Sequence, residues 1–185
     1  MPLTEVQARV LRLLAAGRSP ESYVAGATVL HRSPDSPRYS QDVDFFHDVA
    51  ESVALCAEAD ATSLRSAGAT VEWTLRTPTF YRAVATVDGK RLRLEWAQHS
   101  AYRFFPVQPD GTCGYRLHDA DAAVNKLLAL AGRQEVRDFV DTLYLNAATL
   151  SLGALAWAAP ERTPGTLRVF SSIKLPAMSA THKKI

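Results

Sequence analysis

The chain has 185 residues, 47% of them hydrophobic and 22% charged, which is the composition of a folded domain and excludes a disordered one. The formal net charge of +2 excludes a strongly basic nucleic-acid binder, although residues 160–185 gather five Lys or Arg against one acid. Cys56 and Cys113 lie too far apart for a zinc or disulfide framework, and no stretch approaches the roughly 18 apolar residues of a membrane span, so a cytoplasmic protein with no membrane partner is expected.

Thr4 and Gln7 form a capping-box pattern ahead of apolar residues at helical spacing, Val6, Val10, Leu13 and Leu14, which predicts a helix ending near Gly17. A short apolar strand, Ser22–Ala25, then runs into Gly26-Ala27-Thr28-Val29-Leu30, a brief helix. Ser33–Pro37 holds two prolines and reads as a loop. Val43, Phe45 and Phe46 read as a strand, and Asp48–Ser66 as a helix stopped by Gly68. Three β-like runs follow, Ala69–Arg76, Phe80–Val87 and Arg91–Ala97, with Asp88-Gly89 as a hairpin turn between the last two. His99–Arg116 reads as irregular. His118–Gly132 and Gln134–Leu150 carry helical spacing. Beyond Leu152 the pattern weakens, prolines interrupt any long element, and Trp157 is a candidate for the core. The order predicts an α+β fold, a small mixed sheet with helices beside it and a C-terminal helical part. The expected divisions are a core over 1–117, a helical part over 118–160 and an atypical basic tail over 161–185.

The chemistry concentrates in R-Y-S-Q-D-V-D-F-F, residues 38–46. On a strand, Asp42 and Asp44 share one face while Val43 and Phe45 take the other. Two carboxylates that close repel unless a cation joins them, and Mg²⁺ takes one or two carboxylates together with substrate phosphates. The bland reading is solvated charge. Gly26 opens a helix sixteen residues upstream, and the N–H groups of a helix start suit phosphate.

G-A-T-V-L followed by R-x-S-x-D-V-D-F-F resembles the first two motifs of the polymerase-β-like nucleotidyltransferases, and most nearly the AbiEii/AbiGii toxin branch. R-L-R-L-E-W then supplies Glu95 where that family has a third acid. Asn125-Lys126-Leu127-Leu128 and Arg137-Asp138-Phe139-Val140-Asp141 match its later lysine and R-D-x-x-D helix start. The resemblance spans about residues 20 to 152. It implies a polymerase-β-like fold and transfer of a nucleoside monophosphate from an NTP to an acceptor hydroxyl. By that resemblance Asp42, Asp44 and Glu95 hold Mg²⁺, Glu95 takes the acceptor proton, Lys126 reaches the triphosphate, and Asp138 serves catalysis. Gly26, Ala27, Thr28, Arg38, Ser40, Lys126 and Asp141 would surround the nucleotide. The toxin branch also implies the tRNA 3′ end as acceptor and a cognate antitoxin as partner. Ala27 stands in place of a second glycine, and Glu95 is one methylene longer than the usual Asp. Two other outcomes stay open: a small-molecule acceptor, and a degenerate member that binds nucleotide or a partner without turnover. Each residue also has a bland role: a solvated Lys126, a first-turn cap from Arg137 and Asp138, an Arg137–Asp141 ion pair, or Glu95 as surface charge on an edge strand.

Overall fold

The computed structural model describes residues 3–32, 36, 38–133 and 135–162. Most of the Ser33–Pro37 loop, and the tail from residue 163 on, lie outside the described residues. Helix α1 (Glu5–Leu14) starts on the full capping box, with Thr4 Oγ1 accepting from Gln7 N at 3.2 Å and Thr4 N donating to Gln7 Oε1 at 3.0 Å. A 3₁₀ turn carries it to Gly17. Strand β1 (Ser22–Ala25), helix α2 (Gly26–Leu30), strand β2 (Asp42–His47) and helix α3 (Ala50–Ser66) follow. Strands β3 (Thr70–Thr77), β4 (Phe80–Val87) and β5 (Lys90–Gln98) form a meander. Its second turn is Asp88-Gly89, with φ of +50° and +73°, the pair of left-handed conformations that a two-residue hairpin needs.

Two short strands, β6 (Gln108–Asp110) and β7 (Gly114–Arg116), lie inside the stretch expected to be irregular. They complete a seven-stranded mixed sheet of order β3-β4-β5-β2-β1-β7-β6. Three-residue strands carry no legible alternation, and β7 pairs in parallel with β1, far away in sequence. Helices α4 (Asp119–Arg133), α5 (Val136–Ala148) and α6 (Leu152–Arg162) close the described chain. Trp157 is not core: it is 82% exposed, and α6 buries Leu155, Ala159 and Arg162 instead. No single helix among the described residues is long and apolar enough to cross a membrane.

The sheet's two faces differ in chemistry. On one, Val43, Phe45 and His47 of β2 are fully buried beneath α1 and α3. Phe45 stacks on Trp96 of β5 at 5.7 Å, and the Arg18 guanidinium lies 4.6 Å from the Phe45 ring. Asp60 of α3 takes both Arg18 Nη2 (2.6 and 2.7 Å) and Trp96 Nε1 (2.7 Å), so the buried charges are paired. The other face carries Asp42, Asp44 and Phe46. Phe46 therefore does not anchor the strand with Phe45, as the apolar run suggests, but opens toward the opposite side.

His47 is buried with neither ring nitrogen partnered. Burial first, and the Arg18 charge second, push its pKa down to about 4. The unfolded chain binds a proton near pH 6.5 that the folded chain refuses until about pH 4. This contribution to stability is present above pH 6.5 and is lost as pH falls, by up to about 3 kcal/mol. Thermal unfolding of the native chain and His47→Leu between pH 7 and 4 should show the native chain losing stability faster. Parallel losses would mean that His47 is already partnered.

Candidate active site

The strand register assembles the acids. In the antiparallel β1–β2 pair Ala25 faces Asp44, and in the parallel β2–β5 pair Asp44 faces Glu95 and Asp42 faces Arg93. β5 lies between β4 and β2, so Glu95 is not on an edge strand. Immediately after Ala25 the chain turns at Gly26, φ +65°, and passes directly over Asp44. A methyl group at Gly26 would overlap the Asp44 carboxylate. Both the left-handed backbone and the missing side chain make glycine necessary there.

The two aspartates are in opposite electrostatic states. Burial works to raise Asp42, but Arg93 and Ser40 donate to its carboxylate and hold it below the ordinary value. Asp44 accepts no hydrogen bond from any described residue. Burial, then the charges of Asp42 and Glu95, push it up to about 7. Glu95 Oε1 accepts a hydrogen bond from Arg82 Nε at 2.9 Å and forms an ion pair, without a hydrogen bond, with Arg93 Nε at 3.2 Å. Arg93 thus bridges Asp42 and Glu95 on either side of the unpaired Asp44.

The hydroxyls expected near phosphate face inward. Thr28 Oγ1 and Ser40 Oγ each donate to the Asp42 carbonyl at 2.8 Å and fix the entry to β2. Gln7 Nε2 donates to the Ser40 carbonyl at 2.9 Å, tying α1 to the same point. Ala27 is buried.

Helices α4 and α5 build the facing wall. Lys126 is 7% exposed and lies 3.0 Å from both Asp138 Oδ1 and Asp141 Oδ2. Arg133 Nε holds Asp138 Oδ2 at 2.6 Å. Asp141 also takes Arg38 Nε at 2.6 Å and lies 2.8 Å from His31 Nε2. Burial would raise both carboxylates, but Arg133 and Lys126 hold Asp138 low, and His31, Arg38 and Lys126 hold Asp141 lower still. Arg137 pairs with Glu135 at 2.9 Å rather than with Asp141. Asp141 therefore gathers cations around it and does not offer a free oxygen to a nucleotide.

Between this wall and the sheet lies a groove of about 1110 Å³, lined by seven Lys or Arg and only three acids, Asp42, Asp44 and Glu95. A groove of that balance suits a polyanion. Sequence reasoning missed Arg82, Arg93, Arg133, His31 and Asn125. Both polar atoms of the Asn125 amide are buried without partners at the groove, one position before Lys126. The arginines of β4 and β5 alternate with apolar residues and so look like ordinary solvent-facing charge.

Among the described residues, no three His, Cys, Asp or Glu side chains are arranged to hold a metal ion. Arg93 explains this, because it engages two of the three acids. The donor chemistry nonetheless fits one hard cation. Asp42 and Asp44 are oxygen ligands on one strand face, and the unpartnered Asp44 is the group a cation would relieve.

Neither a family model nor a curated protein sequence matches the chain. Solved structures do. JHP933 from Helicobacter pylori superposes with a TM-score of 0.59 at 19% identity, over 80% of this chain and 68% of its own. A second H. pylori protein, a candidate nucleotidyltransferase, gives 0.57 at 16% identity over 91% and 80%. MenT4, a nucleotidyltransferase toxin of Mycobacterium tuberculosis, gives 0.61 at 17% identity over 91% of this chain but 63% of that one.

Gly26→Ala should cost about 2–4 kcal/mol, the sum of a left-handed backbone penalty and an overlap at a packed carboxylate, measured by denaturant unfolding. A cost below 1 kcal/mol would mean that Asp44 moves away freely. The raised Asp44 pKa contributes stability that is fully present below the unfolded value of 3.8 and lost as pH rises through about 7. Without divalent ions, Asp44→Asn should therefore be the more stable protein at pH 8, by about 1–3 kcal/mol. A less stable variant would place a hidden donor on Asp44. At these levels of identity the likeness is one of fold: this chain has the α+β fold, with its C-terminal helices, that nucleotidyltransferase toxins of the MenT4 type also have.

Proposed function

We propose that this chain is a Mg²⁺-dependent nucleotidyltransferase that moves a nucleoside monophosphate from an NTP to an acceptor hydroxyl. The observation that carries the reading is the unpaired Asp44, beside Asp42 and opposite Glu95, at the floor of a groove walled by cations. Asp42 and Asp44 would hold the ion. When bound, Mg²⁺ neutralises charge developing on the phosphates.

The chain's own residues account for the remaining roles. Lys126, Arg133 and Arg38 bind the triphosphate by exchanging Asp138 and Asp141 for phosphate oxygens, which the groove brings within their reach. Asp138 and Asp141 orient these cations beforehand, so less is lost in ordering them. Gly26 lets the phosphates approach the sheet closely. Glu95 accepts the proton of the acceptor hydroxyl as its oxygen bonds to the α-phosphorus and the bond to pyrophosphate breaks. Arg82 and Arg93 keep Glu95 at that position.

The fold shared with a toxin that is itself a nucleotidyltransferase supports a toxin role; the motif resemblance adds the tRNA 3′ end as acceptor, a cognate antitoxin as partner and the cytoplasm as place of action. A small-molecule acceptor would use the same groove. One observation favours a second reading, a protein that binds nucleotide without turnover: Arg93 neutralises two of the three acids.

Purified protein incubated with Mg²⁺, each α-labelled NTP and bulk tRNA should transfer label to RNA, and Asp44→Asn should lose at least about a hundredfold in rate. Label transferred equally by Asp44→Asn would refute the metal assignment. Mg²⁺-dependent NTP binding without transfer to RNA or to a small hydroxyl acceptor would favour the binding-only reading.

A further inference from the structure

The face of the sheet that carries the acids continues one row further. Phe46 follows Asp44 by two residues on β2, Ala97 follows Glu95 by two on β5, and Phe80 precedes Arg82 by two on β4. The register sets Ala97 opposite Phe46 on one side and Phe80 on the other. Residues two apart on a strand share a face, so these three form a row parallel to the row of Asp44, Glu95 and Arg82. All three are partly exposed, and all three line the groove.

The row has a shape. Adjacent strands lie about 4.8 Å apart, so the backbones of Phe46 and Phe80 stand roughly 10 Å from each other across a single methyl group. At one end His99 stacks parallel on Phe46, with centroids 4.5 Å apart and 6° between planes, and extends its aromatic surface. At the other, the Arg82 guanidinium lies 5.1 Å from the Phe80 ring and fixes it. Burial lowers the His99 pKa, and the charge of nearby Arg162 lowers it further. The Arg162 side chain is 1% exposed and donates from Nη1 to Asp121 at 2.6 Å. Among the described residues its Nε and Nη2 have no partner, and it too lines the groove. Phe46 and Phe80 stay partly exposed after these contacts, and the unused donors of a buried cation beside them are costly unless an acceptor reaches them.

We propose that Phe46, Ala97 and Phe80, with His99 stacked on Phe46, form a stacking slot for a nucleobase. The proposal rests on the nucleotidyltransferase reading and adds where the base goes. The acid row and the aromatic row lie about 7 Å apart along the strands, a span that a ribose bridges between its phosphate or hydroxyl and its base. Stacking of this kind accepts any base, since each presents a π-face. The base comes either from the incoming NTP or from the end nucleotide of an RNA acceptor, and the chemistry of the slot is the same for both.

The test is calorimetric binding with Mg²⁺ of four probes: ATP, CTP, inorganic tripolyphosphate and a short single-stranded RNA. Each is titrated into the native chain, Ala97→Leu, Phe46→Leu and Phe46→Tyr. Ala97→Leu fills the floor of the slot on an open face, and its unfolding temperature checks that the fold survives. Ala97→Leu and Phe46→Leu should weaken a base-bearing probe about tenfold or more. Phe46→Tyr, which keeps the ring, should retain its binding, and tripolyphosphate should bind all four proteins alike. Weakened NTP binding assigns the slot to the incoming nucleotide, and weakened RNA binding alone assigns it to the acceptor. Base-bearing probes that bind the native chain and the two Leu variants equally would overturn the slot while leaving the transferase reading intact. Failure of the native chain to bind tripolyphosphate would overturn the transferase reading, and failure to bind any base-bearing probe would overturn both.

Discussion

Gly26 and Asp44 compete for one small volume, and much of the site follows from how that is resolved. β1 ends opposite Asp44, and the chain has to turn at once to start α2. It does so through a left-handed glycine that rests on the carboxylate. The turn covers Asp44 from above while the β2–β5 register places Glu95 beside it. A carboxylate so enclosed and given no donor loses its preference for the charged state. What keeps β2 from yielding is the far face, where Val43, Phe45 and Trp96 are buried without exposure and a paired Arg18–Asp60 lies behind them. The discomfort at Asp44 is thus held in place by packing on the opposite side of the same strand.

The facing wall follows a different electrostatic rule. Asp138 and Asp141 are fully buried, and each is surrounded by cations. Ion pairs at such depth add little net stability, because the cost of desolvation offsets the attraction. Their effect is geometric. Asp141 draws together His31 from the end of α2, Arg38 from the approach to β2 and Lys126 from α4. The carboxylates set where the positive charges stand, and the groove in front of them gains a direction.

The sequence exposed those features that are governed by neighbouring residues. The capping box, the D-x-D alternation, the Asp88-Gly89 turn and the breaking of α3 at Gly68 each depend on a few adjacent positions, and each stands where the pattern places it. β6 and β7 were illegible because three residues hold no period and their pairing is long-range. Trp157 misled because α6 buries Leu155, Ala159 and Arg162 and turns its one aromatic ring outward. In the site, the candidates Asp42, Asp44, Glu95, Arg38 and Lys126 do converge on one groove. Thr28, Ser40 and Asp141 were assigned to a ligand but bond within the protein, since spacing cannot tell whether a polar group has an internal partner. Arg93 had no signal, because an arginine alternating with leucines is also what a solvated strand face looks like.

On the proposed reading, Arg93 also decides how ligands would arrive. It is a cation already seated between two carboxylates, and it leaves the third unpaired. A divalent ion entering alone relieves Asp44 but meets Arg93 at Asp42 and Glu95. A polyphosphate entering alone draws Lys126 and Arg133 from Asp138 and Asp141, and two buried carboxylates then lose partners. Arriving together, each answers the other's cost. The phosphates would offer Arg93 an alternative anion, Asp42 and Asp44 would hold the ion, and the charges in the groove would stay balanced. Linkage then requires that each ligand raise affinity for the other by the same factor. On that reading, a site with one free carboxylate and a wall of occupied cations discriminates against either component alone.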